Sequence, residues 1–123
     1  IIPSYGPVSA AKAALESHCR QLAFELAPLG ITVNALRGGV TDTPALRKIP
    51  GNDAIIDGAA AKNPSGRLTT PRDVADAVVA LCSPRSRWIP GNGMNVDGGE
   101  EIVACAGRPP PPTWAPPTVP GPA

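Results

Sequence analysis

From Val8 to Leu26 the apolar positions Val8, Ala11, Leu15, Cys19, Leu22 and Leu26 follow one another at steps of three and four. That spacing describes one face of a helix. Pro7 suits its first turn, where the missing N–H would be unpaired anyway, and Pro28 and Gly30 end it. Small residues at Ala10, Ala13, Ala14 and Ser17 leave a low surface that a second helix can approach closely. The stretch "GITVNAL", Gly30 to Leu36, is short, β-branched and apolar on both faces, the signature of a strand buried in a parallel sheet. A Gly-rich loop, "RGGVTDTPAL", leaves it. Residues 44–70 are irregular, with weak helical character from Asp53 to Ala61. A second clear helix follows in "TTPRDVADAVVALCSP", with Thr70 as N-cap, Pro71 at the first helical position and Asp73 in the first turn. Val74, Ala77, Val78 and Leu81 form its expected buried face. "WIPGNGMNVDGG" then reads as turn, short strand over Met94–Val96, and turn.

Helix, strand, loop, helix, strand is the order of an α/β layer with a parallel sheet. Two strands, Gly30–Leu36 and Met94–Val96, leave such a sheet with uncovered faces and edges. The pattern therefore predicts the second half of something larger: residues 1–106 as an incomplete piece of a doubly wound parallel sheet, and 107–123 as a disordered Pro-rich tail. In that tail, "GRPPPPTWAPPTVPGPA" offers little to bury beyond Trp114. A PxxP ligand role there stands beside a plain linker.

Composition narrows the function. A net charge of +1 over 123 residues, without a basic stripe, argues against nucleic acid. The apolar runs fall short of the ~20 residues a membrane span needs. "IIPSYG" carries no basic n-region or cleavage site, so nothing directs export and a cytoplasmic setting is expected. Cys19, Cys82 and Cys105 are odd in number and lack C-x-x-C spacing, which fits reduced thiols rather than a disulfide framework or a metal site. Cys19 and Cys82 are expected in the core. His18, the only histidine, has no partner motif beside it and is read as structural.

Tyr5 and Lys12 are the residues with chemistry. Seven helical residues turn through about 700° and rise about 10 Å, so the two side chains point the same way two turns apart. A tyrosine acts as a general acid when a nearby cation lowers its pKa from about 10. Taken alone, a helix-start aromatic and a solvated lysine is the favoured reading of the pair.

Their context is more specific. "YGPVSAAKAALES", "LAFELAPLGITVNAL", "GGVTDT", "GRLTTPRDVADAVVALCSP" and "IPGNGMNVDGG" occur in order, and together they resemble the C-terminal half of the short-chain dehydrogenase/reductases. The resemblance runs from about Ile2 to Val103 and implies a Rossmann-like fold. The usual active-site spacing in that superfamily is Tyr-x-x-x-Lys. Here Val8 stands four residues before Lys12, and the tyrosine lies three further back. Tyr-x6-Lys spacing is similar to that of the enoyl-acyl-carrier-protein reductases, the third bacterial type above all. Enoyl reduction delivers hydride to a β-carbon and makes an enolate of the thioester carbonyl, so a donor held further away suits the displaced oxygen.

The resemblance implies roles residue by residue. Tyr5 would stabilise or protonate the enolate oxygen. Lys12 would hold the nicotinamide ribose. The family's Pro-Gly-x-x-x-Thr reads here Gly38-Gly39-Val40-Thr41-Asp42-Thr43, and Gly39, the Val40 backbone and Thr43 would grip the carboxamide of NADH or NADPH. Thr43 also suits an N-cap, and the two roles are compatible. Residues 44–67 correspond to the substrate lid. There Leu46 and Ile49, with Ala45, Ile55 and Ile56, line an acyl channel or simply pack the lid. Arg47, Lys48 and Arg67 attract an acidic carrier protein or coenzyme A phosphates, or stay solvated. The implied substrate is an acyl thioester on acyl carrier protein or coenzyme A, and the implied assembly a homo-oligomer. No Gly-rich pyrophosphate loop occurs in the chain, so the polypeptide alone is expected to bind dinucleotide poorly and not to turn over. The alternatives are a 3-oxoacyl reductase or other short-chain alcohol dehydrogenase, and a non-catalytic remnant or assembly partner.

Overall fold

The computed structural model describes residues 5–103; the expected Pro-rich tail, with Trp114, and Cys105 lie outside the described residues. Helix α1 spans Gly6–Leu26 and runs into a 3-10 turn at Ala27–Leu29, closed by Gly30 in the left-handed conformation (φ 72°). Strand β1 (Ala35–Gly38) pairs in parallel with β2 (Gly93–Val96), Ala35 opposite Gly93 and Gly38 opposite Val96. Helices α2 (Asn52–Lys62) and α3 (Pro71–Leu81) lie between them in sequence. The parallel pair joined by a helical crossover is the α/β layer the pattern implies.

The ladder starts later than "GITVNAL" suggests. Residues 31–34 lie outside it, because much of the pairing there runs through the side chain of Asn34. Its amide donates to Ile89 O (2.7 Å) and its oxygen accepts from Asn92 N–H (3.0 Å). The weak helical signal at 53–61 is a full helix of 11 residues, entered through Gly51 at φ 77°.

α3 begins as expected. Thr70 accepts from Asp73 N–H while the Asp73 carboxylate accepts from Thr70 N–H (2.8 Å), a reciprocal capping box. Val74 meets β1 where Gly38 offers no side chain; a Cβ there would lie 3.5 Å from Val74 Cγ2.

Burial departs most from the sequence pattern. Ala23 and Ala59 are the only buried apolar residues among those described. On the predicted face of α1, Val8, Leu15 and Leu22 are exposed and Cys19 and Leu26 half-buried; on α3, Val78 is 45% exposed. Cys82, expected in the core, is exposed. On α1 the one buried residue, Ala23, lies off the predicted apolar positions, and a two-stranded sheet has too little surface to cover the predicted faces.

Candidate active site

The loop that leaves β1 meets the turn that leaves β2. Gly39 N–H donates to Val96 O (3.2 Å), extending the pairing by one step, and Thr41 forms an isolated parallel bridge with Thr69. Beyond β2, Asp97 organises a tight turn: its carboxylate accepts from Gly99 N–H (2.9 Å) and Glu101 N–H (3.0 Å). Gly98 and Gly99 take φ of 64° and 88°, conformations that cost a residue with a Cβ. Asn63, 2% exposed, fastens the segment after α2 to this turn; its amide donates to Asp97 O (2.7 Å) and its oxygen accepts from Ser65 N–H (2.9 Å).

Gly39 sits at the tightest point. A Cβ there would stand 2.5 Å from Thr69 Oγ1, 2.8 Å from Glu100 Oε2 and 3.0 Å from Asp97 Cα. The next amide, Val40 N–H, donates to Glu100 Oε2 (3.0 Å). Thr69 is 5% exposed, and its hydroxyl oxygen meets no hydrogen-bond partner among the described residues.

Thr43 opens the lid segment. Its hydroxyl oxygen accepts from Leu46 N–H (3.2 Å) and its carbonyl from Arg47 N–H (3.0 Å), the capping role read from sequence. Among the described residues its hydroxyl hydrogen meets no acceptor. Leu46 is half-buried in a 3-10 turn, Leu46–Lys48, and Ile49 is 43% exposed beside it. Arg47 is committed locally: it forks onto Asp42 (2.7 and 2.6 Å) and reaches Asp53 (3.3 Å). The Arg47 hydrogen bonds hold the Asp42 carboxyl below its ordinary range. Arg67 forks onto Asp73 (2.7 and 2.8 Å). Bonds from Arg67, then from the Thr70 hydroxyl and backbone, hold the Asp73 carboxyl well below the usual carboxylate range. Two of the three cations that sequence left open for a carrier or coenzyme A thus serve the fold, while Lys48 is exposed and unpaired among the described residues.

Tyr5 is the N-cap of α1 and 41% exposed; its carbonyl accepts from Ser9 N–H (2.9 Å). Lys12 lies on the same helix, exposed. Neither side chain makes a hydrogen bond or ion pair among the described residues. The structure therefore assembles Gly39, Val40 and Thr43 on one loop and sets Tyr5 and Lys12 on one helix.

That arrangement fits a nicotinamide only in part. The Thr43 hydroxyl, the Tyr5 hydroxyl and the Lys12 amine are available; the Val40 N–H is taken by Glu100. Sequence reasoning missed Glu100, Thr69 and Asn63. For Asn63 and Thr69 no motif signals the buried role. For Glu100 the signal was its place directly after the Asp97-Gly98-Gly99 turn.

Comparisons with known proteins agree with this architecture. Residues 1–101 match the family described as enoyl-(acyl carrier protein) reductase. The enoyl-[acyl-carrier-protein] reductase [NADH] of Aquifex aeolicus is 38% identical over 108 residues, 88% of this chain and 40% of that protein. The crystal structure of the Bacillus cereus enoyl-acyl carrier protein reductase with NADP+ and indole naphthyridinone superposes with a TM-score of 0.80 at 30% identity. It covers 85% of this chain and 41% of that one. The 3-ketoacyl-(acyl-carrier-protein) reductase of Brucella melitensis complexed with NADH gives 0.65 at 39% identity, covering 76% and 36%. The chain thus spans about two fifths of the length of the relatives it matches.

Proposed function

The chain belongs to the enoyl-(acyl carrier protein) reductase family of short-chain dehydrogenase/reductases, and from that premise we propose that it is the nicotinamide-end part of a reductase acting on the C=C bond of an enoyl thioester. The substrate is carried on acyl carrier protein or coenzyme A, and the cofactor is NADH or NADPH. The carrying observation is the Tyr5–Val8–Lys12 pattern at the start of α1. Val8 has no hydroxyl to place where a ketoreductase donor would stand, and Tyr5, at the exposed N-terminus of the helix, is the remaining acid.

A bound dihydronicotinamide supplies the hydride. Tyr5 O–H donates to the thioester oxygen as negative charge gathers on it, which lowers the barrier. Lys12, on the same helix, binds ribose hydroxyls and supplies positive charge to the site. Thr43 O–H donates to the carboxamide. Leu46 and Ile49 flank the acyl chain. The uncovered faces of α1 and α3 support residues 1–106 as part of a larger Rossmann-like domain that assembles as a homo-oligomer; a cytoplasmic setting goes with the same reading.

A 3-oxoacyl reductase is the nearest rival, and the likeness to the Brucella melitensis enzyme favours keeping it in the test. The complete polypeptide that contains this chain is assayed with crotonyl and acetoacetyl thioesters. Faster reduction of the crotonyl substrate is expected. Tyr5→Phe should then lower kcat by about 10²–10³-fold with KM little changed, as for loss of one oxyanion donor. Preference for the acetoacetyl thioester overturns the enoyl assignment.

A further inference from the structure

The cofactor reading gives the Val40 main chain to the nicotinamide carboxamide, and at that atom the structure disagrees. Val40 N–H already donates to Glu100 Oε2 at 3.0 Å, across sixty residues of sequence. Among the described residues it is the only donor that the Glu100 carboxylate meets. The same oxygen lies 2.8 Å from where a Cβ at Gly39 would stand, so the carboxylate fills space that the glycine leaves open. Its backbone is fixed by the Asp97 turn, with Glu100 N–H donating to Asp97 O (3.2 Å). A cavity of about 460 Å³ opens beside the contact, lined by Arg37, Lys62, Asp97 and Glu101 as well as residues 38–40 and Glu100. Arg37 is engaged by Glu16 and Glu101 (3.3 and 3.6 Å) rather than by Glu100. A carboxamide oxygen is neutral, and a hydrogen bond to a carboxylate is roughly twice as strong as one to a neutral acceptor.

We propose that Glu100 is an intramolecular competitor for the carboxamide site: its carboxylate holds the Val40 N–H, and a nicotinamide gains that contact only when the side chain swings into the neighbouring cavity. The proposal rests on the cofactor reading above. Glu100 acts here through Val40, as a positioning residue that keeps the loop closed.

The test uses the complete ¹⁵N-labelled polypeptide that contains this chain, as wild type, Glu100→Ala, Glu100→Gln and Glu101→Ala. Deuterium exchange of the Val40 amide is followed, with the Asn63 amide as the reference for general opening. Exchange at Val40 should quicken about tenfold or more in Glu100→Ala, less in Glu100→Gln, which keeps an acceptor oxygen, and not in Glu101→Ala, which loses the same charge. Reduced nicotinamide mononucleotide is then titrated in. Half-saturation should fall about tenfold in Glu100→Ala, the size expected for one charge-assisted bond no longer displaced. Unchanged Val40 exchange in both Glu100 variants overturns the contact. Faster exchange with unaltered half-saturation overturns the competition. If Asn63 quickens along with Val40 in Glu100→Ala, the Glu100→Gln result decides. Failure of the cofactor reading has its own signature: no shift at Lys12 or Thr43 in any variant, which removes the competition while the exchange data still report on the contact.

Discussion

Asn63 and Gly39 carry more of the site's geometry than any residue with catalytic chemistry. Asn63 is buried and joins two segments that sequence separates by 34 residues. Its replacement by Ala leaves Ser65 N–H without its partner and Asp97 O with the Glu100 N–H alone, at a cost of about 1–3 kcal/mol for the unpaired amide where water cannot enter. Chemical denaturation of Asn63→Ala should show a lower midpoint, by more than an exposed control such as Lys48→Ala. Gly39→Ala should also destabilise, by about 1–3 kcal/mol, because two of the atoms its Cβ would meet are the buried Thr69 hydroxyl and the Asp97 backbone, neither of which yields easily. An Ala variant as stable as wild type would show that the loop relaxes away from Thr69. Asn63 does not announce itself in sequence. Gly39 is legible as part of "GGVTDT", but the wall facing it comes from residues 69, 97 and 100, and contacts at that separation leave no local pattern.

At the scale of elements, local chemistry was the legible part. The α3 start was readable from "TTPRD", since N-cap, N1 and N3 preferences act within one turn and need no tertiary partner. α1 was readable for the same reason, from its period. The strand after it was misplaced toward its N-terminus because Asn34 substitutes side-chain bonds for ladder bonds, and composition cannot show that. The capping box has a consequence in pH. Asp73 is held below its ordinary range in the fold, so its contribution is complete above the unfolded value of about 4 and declines as pH falls through the folded value. Stability should therefore drop on acidification below about pH 4, with Asp42 adding in the same direction. In Asp73→Asn part of that drop should vanish, and thermal melts across the acid range would show a flatter profile. Thr70→Ala should cost about 1 kcal/mol at neutral pH, as a lost N-cap.

The described residues together present apolar surface that β1 and β2 do not cover. Phe24 is 79% exposed, Trp88 91%, Leu29 71% and Val79 70%. Isolated exposed apolar residues are ordinary, but Ala27, Ile31, Trp88 and Pro90 line one open groove together, and grouped exposure of this kind drives association. The sequence pattern indicated the faces and could not say which would remain bare, because burial depends on what is packed against them. Among the described residues no helix is long and apolar enough to cross a membrane. The grouping of exposed apolar side chains along the groove argues for protein contacts. The isolated chain should bind a hydrophobic dye such as anilinonaphthalene sulfonate and sediment as concentration-dependent assemblies. Phe24→Ser and Trp88→Ser should reduce both while leaving the denaturation midpoint within about 0.5 kcal/mol, as for surface changes away from packed features. Ala23→Asp, at one of the two buried apolar positions among the described residues, should instead lower the midpoint strongly by burying an unpaired charge. If the two serine variants unfold as readily as Ala23→Asp, Phe24 and Trp88 belong to a core within this chain and the faces are not open.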